Sequence, residues 1–120
     1  MSKPLSLIIE DDPQIGDILS ISLRNDFETE LIKDGDQALA RLAEVIPALI
    51  VLDLHLPSVS GKDIFAQIRA DARLETTKVI LCTADALQSE TMQSQADLVL
   101  LKPVSPNQVR ELASRIVKMS

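Results

Sequence analysis

Ala48-Leu49-Ile50-Val51-Leu52-Asp53 is the stretch on which the fold turns. Five apolar residues run straight into one carboxylate. A continuous run of this length, rich in branched side chains, reads as a strand buried on both faces in the middle of a parallel sheet. An acid at the end of such a strand costs desolvation free energy unless a partner or a cation compensates. Leu54-His55-Leu56-Pro57 then leaves the strand, with Pro57 as a stop and Ser58 to Gly61 as a loop. The plainer reading is that Asp53 caps the segment that follows, since Asp favours strand-to-loop junctions.

On either side of this strand, strand-like and helix-like stretches alternate. Leu5-Ser6-Leu7-Ile8-Ile9 is a short strand ending in Glu10-Asp11-Asp12. Pro13 suits the first turn of a helix, and Ile15, Ile18, Leu19 and Leu23 continue at helical spacing until Asn25-Asp26. Phe27 to Ile32 carries charges, as an edge strand does. Ala38, Leu39, Leu42, Ala43 and Ile46 predict a second helix, stopped by Pro47. Gly61 to Ala70 predicts a third, with Ile64, Phe65 and Ile68 on one face. Lys78 to Cys82 is a fourth apolar strand running into Thr83. Ala86 to Gln95 is a weak helix, apolar only at Leu87 and Met92. Asp97 to Leu101 is a fifth strand, ending at Lys102-Pro103. Ser105-Pro106 then caps a last helix marked by Val109, Leu112, Ala113 and Ile116. Five strands alternating with five helices imply an α/β fold, a doubly wound parallel sheet whose common five-stranded order is 2-1-3-4-5.

Composition narrows the function classes. A length of 120 residues fits a single domain, 1–120, with no output domain in the chain. An apolar content of 46 % makes it globular. No apolar run is long enough to span a bilayer, and Met1-Ser2-Lys3-Pro4 leads into the first strand without a signal-peptide pattern. The one cysteine, Cys82, excludes an intrachain disulfide and fits a reducing cytoplasm. It reads as a small core residue rather than a redox sensor. A net charge of −6 argues against a footprint for the nucleic-acid backbone, and the absence of Tyr and Trp removes stacking platforms.

In a doubly wound sheet, ligands bind beyond the carboxyl ends of the strands, where the strand order reverses. Glu10-Asp11, Asp53, Thr83 and Lys102 all fall at such ends, on one edge. Three neighbouring carboxylates repel one another and invite a cation. Oxygen ligands without a His/Cys cluster favour a hard ion, and Mg²⁺ keeps waters that a phosphate can displace. Lys102 offers a point charge and Thr83 a hydroxyl donor. A carboxylate in this setting can accept a phosphoryl group, with metal and lysine neutralising the developing charge. Glu10 to Asp12 also suits a first-turn charge cluster that complements a helix dipole.

These residues resemble the receiver domain of two-component response regulators, and the resemblance covers the whole chain. It rests on Glu10-Asp11, on Asp53 with Leu54-His55-Leu56-Pro57 and Gly61, on Thr83-Ala84 and on Lys102-Pro103. It implies a flavodoxin-like sheet. It also implies that Asp53 accepts a phosphoryl group from a sensor histidine kinase, a phosphotransfer protein or a small donor. By the same resemblance, Glu10, Asp11, Asp53 and the backbone carbonyl of His55 serve Mg²⁺, and Thr83 and Lys102 hold the phosphoryl oxygens. Lys102-Pro103 would be the family's cis peptide. His55 and Asp85 take positions that tune phosphoryl lifetime. The surface of helix 4, strand 5 and helix 5 would serve an output partner or a phosphorylation-dependent homodimer.

Two departures fall on that surface. Val99 stands where the family often has the switch Tyr or Phe, and the stretch from Thr83 to Lys102 is short by roughly one helical turn. A phosphorylation switch that is not itself an enzyme is the leading expectation. A receiver-like module that binds constitutively remains open, as does a phosphatase with Asp53 as nucleophile. The phosphatase would normally carry a second Asp where His55 stands, and would need a cap domain. A flavin-binding domain lacks its phosphate loop here.

Overall fold

The computed structural model describes residues 3–118. Met1 and Ser2, part of the leader reading above, and Met119-Ser120 lie outside the described residues. Strands and helices alternate: β1 (Leu5–Ile9), α1 (Pro13–Leu23), β2 (Glu28–Ile32), α2 (Gly35–Leu42), β3 (Leu49–Asp53), α3 (Gly61–Ala70), β4 (Lys78–Thr83), α4 (Ala86–Met92), β5 (Leu98–Leu101) and α5 (Pro106–Lys118). A single 3-10 turn, Ala72–Leu74, follows α3. All strand pairs are parallel, in the order β2-β1-β3-β4-β5.

The central strand is buried at every residue because the sheet separates two cores. Leu49 and Val51 pack with Leu19, Leu23, Phe27, Val109 and Ala113, on the side covered by α1 and α5. Ile50 and Leu52 pack with Ala38, Ile64, Phe65, Ile68 and Met92, on the side of α2, α3 and α4. Alternate side chains of one strand feed opposite faces, so a strand covered on both sides has no polar position to spare.

Short polar side chains start the helices. Asp12 accepts from the Gln14 N–H at 2.9 Å, Asp34 from Gln37 at 2.8 Å, Ser60 from Asp63 at 3.2 Å and Asp85 from Leu87 at 3.0 Å. Each satisfies a first-turn donor that has no intrahelical partner.

Several boundaries differ from the sequence expectation. Helix α2 stops at Leu42, not Ile46, and Ile46 is 56 % exposed. A residue before proline is driven away from helical geometry, and the chain must extend so that the Ala48 N–H reaches the Leu5 carbonyl at 2.9 Å. Ile18 is 48 % exposed, since Gly16, Leu19 and Leu23 occupy the buried face of α1 and Ile18 lies about 100° from Leu19. Helix α4 ends at Met92 rather than Gln95. Gln95 and Ala96 turn back to the Met92 carbonyl, Arg69 takes the Gln95 carbonyl at 3.3 Å, and Asp97 caps the Val79 N–H at 2.7 Å. These ties pull the chain into β5 before another helical turn can form. Thr83 joins β4, paired with Leu101.

Candidate functional site

Strand register assembles the site. Ile9 pairs with Leu52, so Glu10 comes level with Asp53. Asp53 pairs with Cys82, and Thr83 follows. The Lys102 N–H donates to the Thr83 carbonyl at 2.8 Å, which fixes the backbone from which the lysine reaches inward. The Lys102-Pro103 peptide is cis.

The side chains meet. Lys102 Nζ lies 2.9 Å from Asp53 Oδ2 and 3.2 Å from Glu10 Oε1. Asp53 Oδ1 accepts the His55 N–H at 3.0 Å. Asp53 and Glu10 are only 2 % and 3 % exposed. Carboxylate oxygens of Glu10, Asp11 and Asp53 come within 4.8 Å of one another, with Asp11 on the solvent side. Glu10 Oε2 is buried and receives no hydrogen bond among the described residues.

Burial, followed by the neighbouring Asp53, pushes the Glu10 carboxyl up to about 8, against the pull of Lys102. Burial also opposes ionisation of Asp53. Its hydrogen bonds with Glu10, the His55 N–H and Lys102 outweigh that and hold its carboxyl below the usual range. Burial likewise opposes the charge on Lys102, but the Asp53 contact prevails and its pKa rises. Glu10 therefore carries the proton, beside an ionised Asp53 and a charged Lys102. Two carboxylates at such range do not both ionise without compensation.

A cation in place of that proton would satisfy the orphaned Glu10 Oε2. The donors are all oxygens, carboxylates from two strand ends, and this chemistry fits a hard divalent ion.

The acidic run Glu10-Asp11-Asp12 divides its duties. Asp12 turns away to cap α1, whereas Glu10 and Asp11 join the cluster. Thr83 is fully buried at the same edge, yet its hydroxyl faces α4. It accepts the Asp85 N–H at 3.1 Å and donates to Gln88 Oε1 at 3.1 Å. The Asp85 carboxylate is engaged in capping α4, on the Leu87 and Gln88 N–H groups. The His55 side chain is exposed. Val99 is half-buried against the α3–α4 core.

One contributor, Gln88, escaped the sequence reading, and the close backbone approach at Gly61, a residue of the motif, did too. Gln88 carries no motif; only its position in the first turn after the Asp85 cap pointed toward Thr83. Gly61 lies so close to the Asp53 loop that a Cβ there would sit 2.4 Å from Leu54 Cα and 2.5 Å from the Asp53 carbonyl oxygen. Cys82 is buried beside the site, and burial, then the Asp53 charge, pushes its thiol up to about 12.

Residues 6–114 match the family model described as the response regulator receiver domain. The chain is 35 % identical over 111 residues to the DNA-binding response regulator MtrA of Mycolicibacterium smegmatis, covering 92 % of this chain and 47 % of that protein. It is 35 % identical over 117 residues to the DNA-binding dual master transcriptional regulator RpaA of Synechocystis, covering 94 % and 47 %. The chain thus spans about half the length of these curated relatives. Among solved structures, the chemotaxis response regulator CheY4 of Vibrio cholerae superposes with a TM-score of 0.86, covering 96 % of this chain and 99 % of that one at 21 % identity, a likeness of fold. Among the described residues, no helix is long and apolar enough to cross a membrane.

Proposed function

The chain belongs to the response regulator receiver domain family of two-component signalling, and from that premise we propose that it is a cytoplasmic phosphoacceptor whose nucleophile is Asp53. An ionised Asp53 Oδ attacks the phosphorus of a phosphohistidine on a sensor kinase or phosphotransfer protein, or of an acyl phosphate. The new O–P bond forms as the P–N or P–O bond breaks, and the imidazole or carboxylate leaves with the electron pair. Lys102 neutralises a phosphoryl oxygen, and the Thr83 hydroxyl donates to another. Glu10, Asp11, Asp53 and the His55 carbonyl would hold Mg²⁺, which when bound supplies Lewis-acid stabilisation of the transferring group. Hydrolysis returns the carboxylate, and the phosphoryl group biases a two-state equilibrium that alters partner binding, without direct contact to nucleic acid.

The observation that carries this reading is the buried, ionised Asp53 at 2.9 Å from Lys102, beside a Glu10 oxygen that has no partner among the described residues. Incubation with Mg²⁺ and acetyl phosphate should add one phosphoryl mass, and Asp53→Asn should abolish it. No increment, under conditions that label a control receiver, would remove the proposal. His55→Ala and Asp85→Ala should change the decay rate of the phosphorylated protein; decay unchanged from the parent in both would reject a tuning role.

A second reading is a constitutive binding module. It draws on Val99 and on the seven-residue α4, both among the elements of the α4–β5–α5 face. The same labelling experiment separates the two.

A further inference from the structure

The Thr83 hydroxyl has one proton, and in this structure Gln88 takes it. Oγ1 already accepts the Asp85 N–H at 3.1 Å, and its own hydrogen points to Gln88 Oε1, also at 3.1 Å. Gln88 sits in the first turn of α4, where its backbone N–H is held by Asp85 Oδ1 at 3.2 Å. The amide is therefore fixed at its backbone end before the side chain reaches Thr83. Helix α4 is only seven residues long and buries just Ser89 and Met92, so few other contacts compete with this bond for control of its first turn.

We propose that Gln88 is a positioning residue that latches the Thr83 hydroxyl to α4 in the resting protein and must release it when Thr83 turns to a phosphoryl group on Asp53. The inference rests on the phosphoacceptor reading above. One hydroxyl proton cannot serve Gln88 Oε1 and a phosphoryl oxygen at once. Phosphorylation and detachment of the first turn of α4 are then linked by that proton. The Val99 side chain has no hydrogen-bonding group, so the latch provides a coupling route that needs no aromatic at β5. The bond lies between neutral partners, and its loss should change the occupancy of the Thr83-engaged state about fivefold.

The test is equilibrium binding of beryllofluoride with Mg²⁺, a phosphoryl mimic at Asp53, followed by ¹⁵N NMR of α4 and of the Gln88 side-chain amide. Gln88→Leu should tighten binding about fivefold, because the resting state alone loses a bond. Gln88→Glu, a stronger acceptor for the hydroxyl, should weaken it by at least as much. In a Thr83→Ala background both substitutions should become silent, giving a coupling that a purely structural role for Gln88 would not produce. Binding by the parent protein with equal affinities in both variants, or identical effects with and without Thr83, overturns the latch alone. Failure of the parent protein to bind the mimic overturns the phosphoacceptor reading and the latch with it.

Discussion

Gly61→Ala should be the most damaging single-methyl change near the site, and its size follows from what the methyl would meet. The added carbon would lie 2.4 Å from Leu54 Cα, 2.5 Å from the Asp53 carbonyl oxygen and 3.0 Å from the Leu54 carbonyl carbon. Carbon atoms pack at about 3.5–4.0 Å, so the backbone on one side must retreat by about 1 Å. No flexible side chain can absorb this. Overpacking costs about 1–3 kcal/mol, and the 3.2 Å bond from the Gly61 N–H to the Leu54 carbonyl would be lost as well, adding about 1 kcal/mol. A loss of about 2–4 kcal/mol, at a urea m-value of about 1.5 kcal/mol/M, lowers the urea midpoint by about 1.3–2.7 M. Gly16→Ala is the control. There the methyl meets Leu31 Cδ1 at 2.7 Å and Cδ2 at 3.0 Å, the movable tip of a half-buried side chain. The gain from replacing a mid-helix glycine, about 1 kcal/mol, offsets that contact, so its midpoint should stay within about 0.7 M of the parent. Because the displaced backbone carries Asp53, Gly61→Ala should also weaken Mg²⁺ binding about tenfold or more, as near-octahedral geometry tolerates little displacement. Equal urea midpoints for the two variants would refute the close-approach argument.

The protonation state sets the next expectations. Glu10 holds its proton until about pH 8, chiefly through burial, so a cation has to displace that proton. Mg²⁺ affinity should therefore rise by up to about tenfold per pH unit and level off above about pH 8, and calorimetry in buffers of different ionisation enthalpy should detect the released proton. Without metal the sign for stability is opposite. A carboxyl raised on folding contributes stability that is full below its ordinary value of 4.5 and is lost as pH rises through about 8. Glu10→Gln should flatten that slope in urea titrations; an unchanged slope would contradict it. Lys102→Met leaves Asp53 and Glu10 without their shared cation, and should destabilise the protein by about 2–4 kcal/mol at pH 8, with a smaller loss at pH 5 where a proton substitutes. Equal losses at both pH values would show that the lysine acts through packing of its stem.

Much of this was legible because periodicity and strand ends are strong signals. The run from Leu49 to Asp53 could only belong between two layers, and the alternation around it left one economical sheet order. Once the order is fixed, Glu10, Asp53, Thr83 and Lys102 must share an edge, whatever their separation in sequence. Geometry at the scale of a single side chain was less accessible. Glu10-Asp11-Asp12 taken alone does not say which of its two aspartates caps α1, because both side chains have the right reach. The end of α2 depends on a backbone bond between Ala48 and Leu5, far apart in the chain. The end of α4 depends on Arg69 of α3 and on Asp97, which binds both Arg69 and the Val79 N–H of β4. Gly61 was read as part of a loop motif, whereas its role is set by backbone atoms that its Cβ would strike.

Cys82 gives the molecule an internal clock. A thiol shifted to about 12 and sealed in the middle of the sheet is closed to alkylating reagents while the native layers stay shut. Each labelling event would record an opening of the central strands, with no engineered probe required. Measured with and without divalent ion, or with and without a phosphoryl mimic, the tempo of that one sulfur would report how firmly the loaded pocket holds the sheet together.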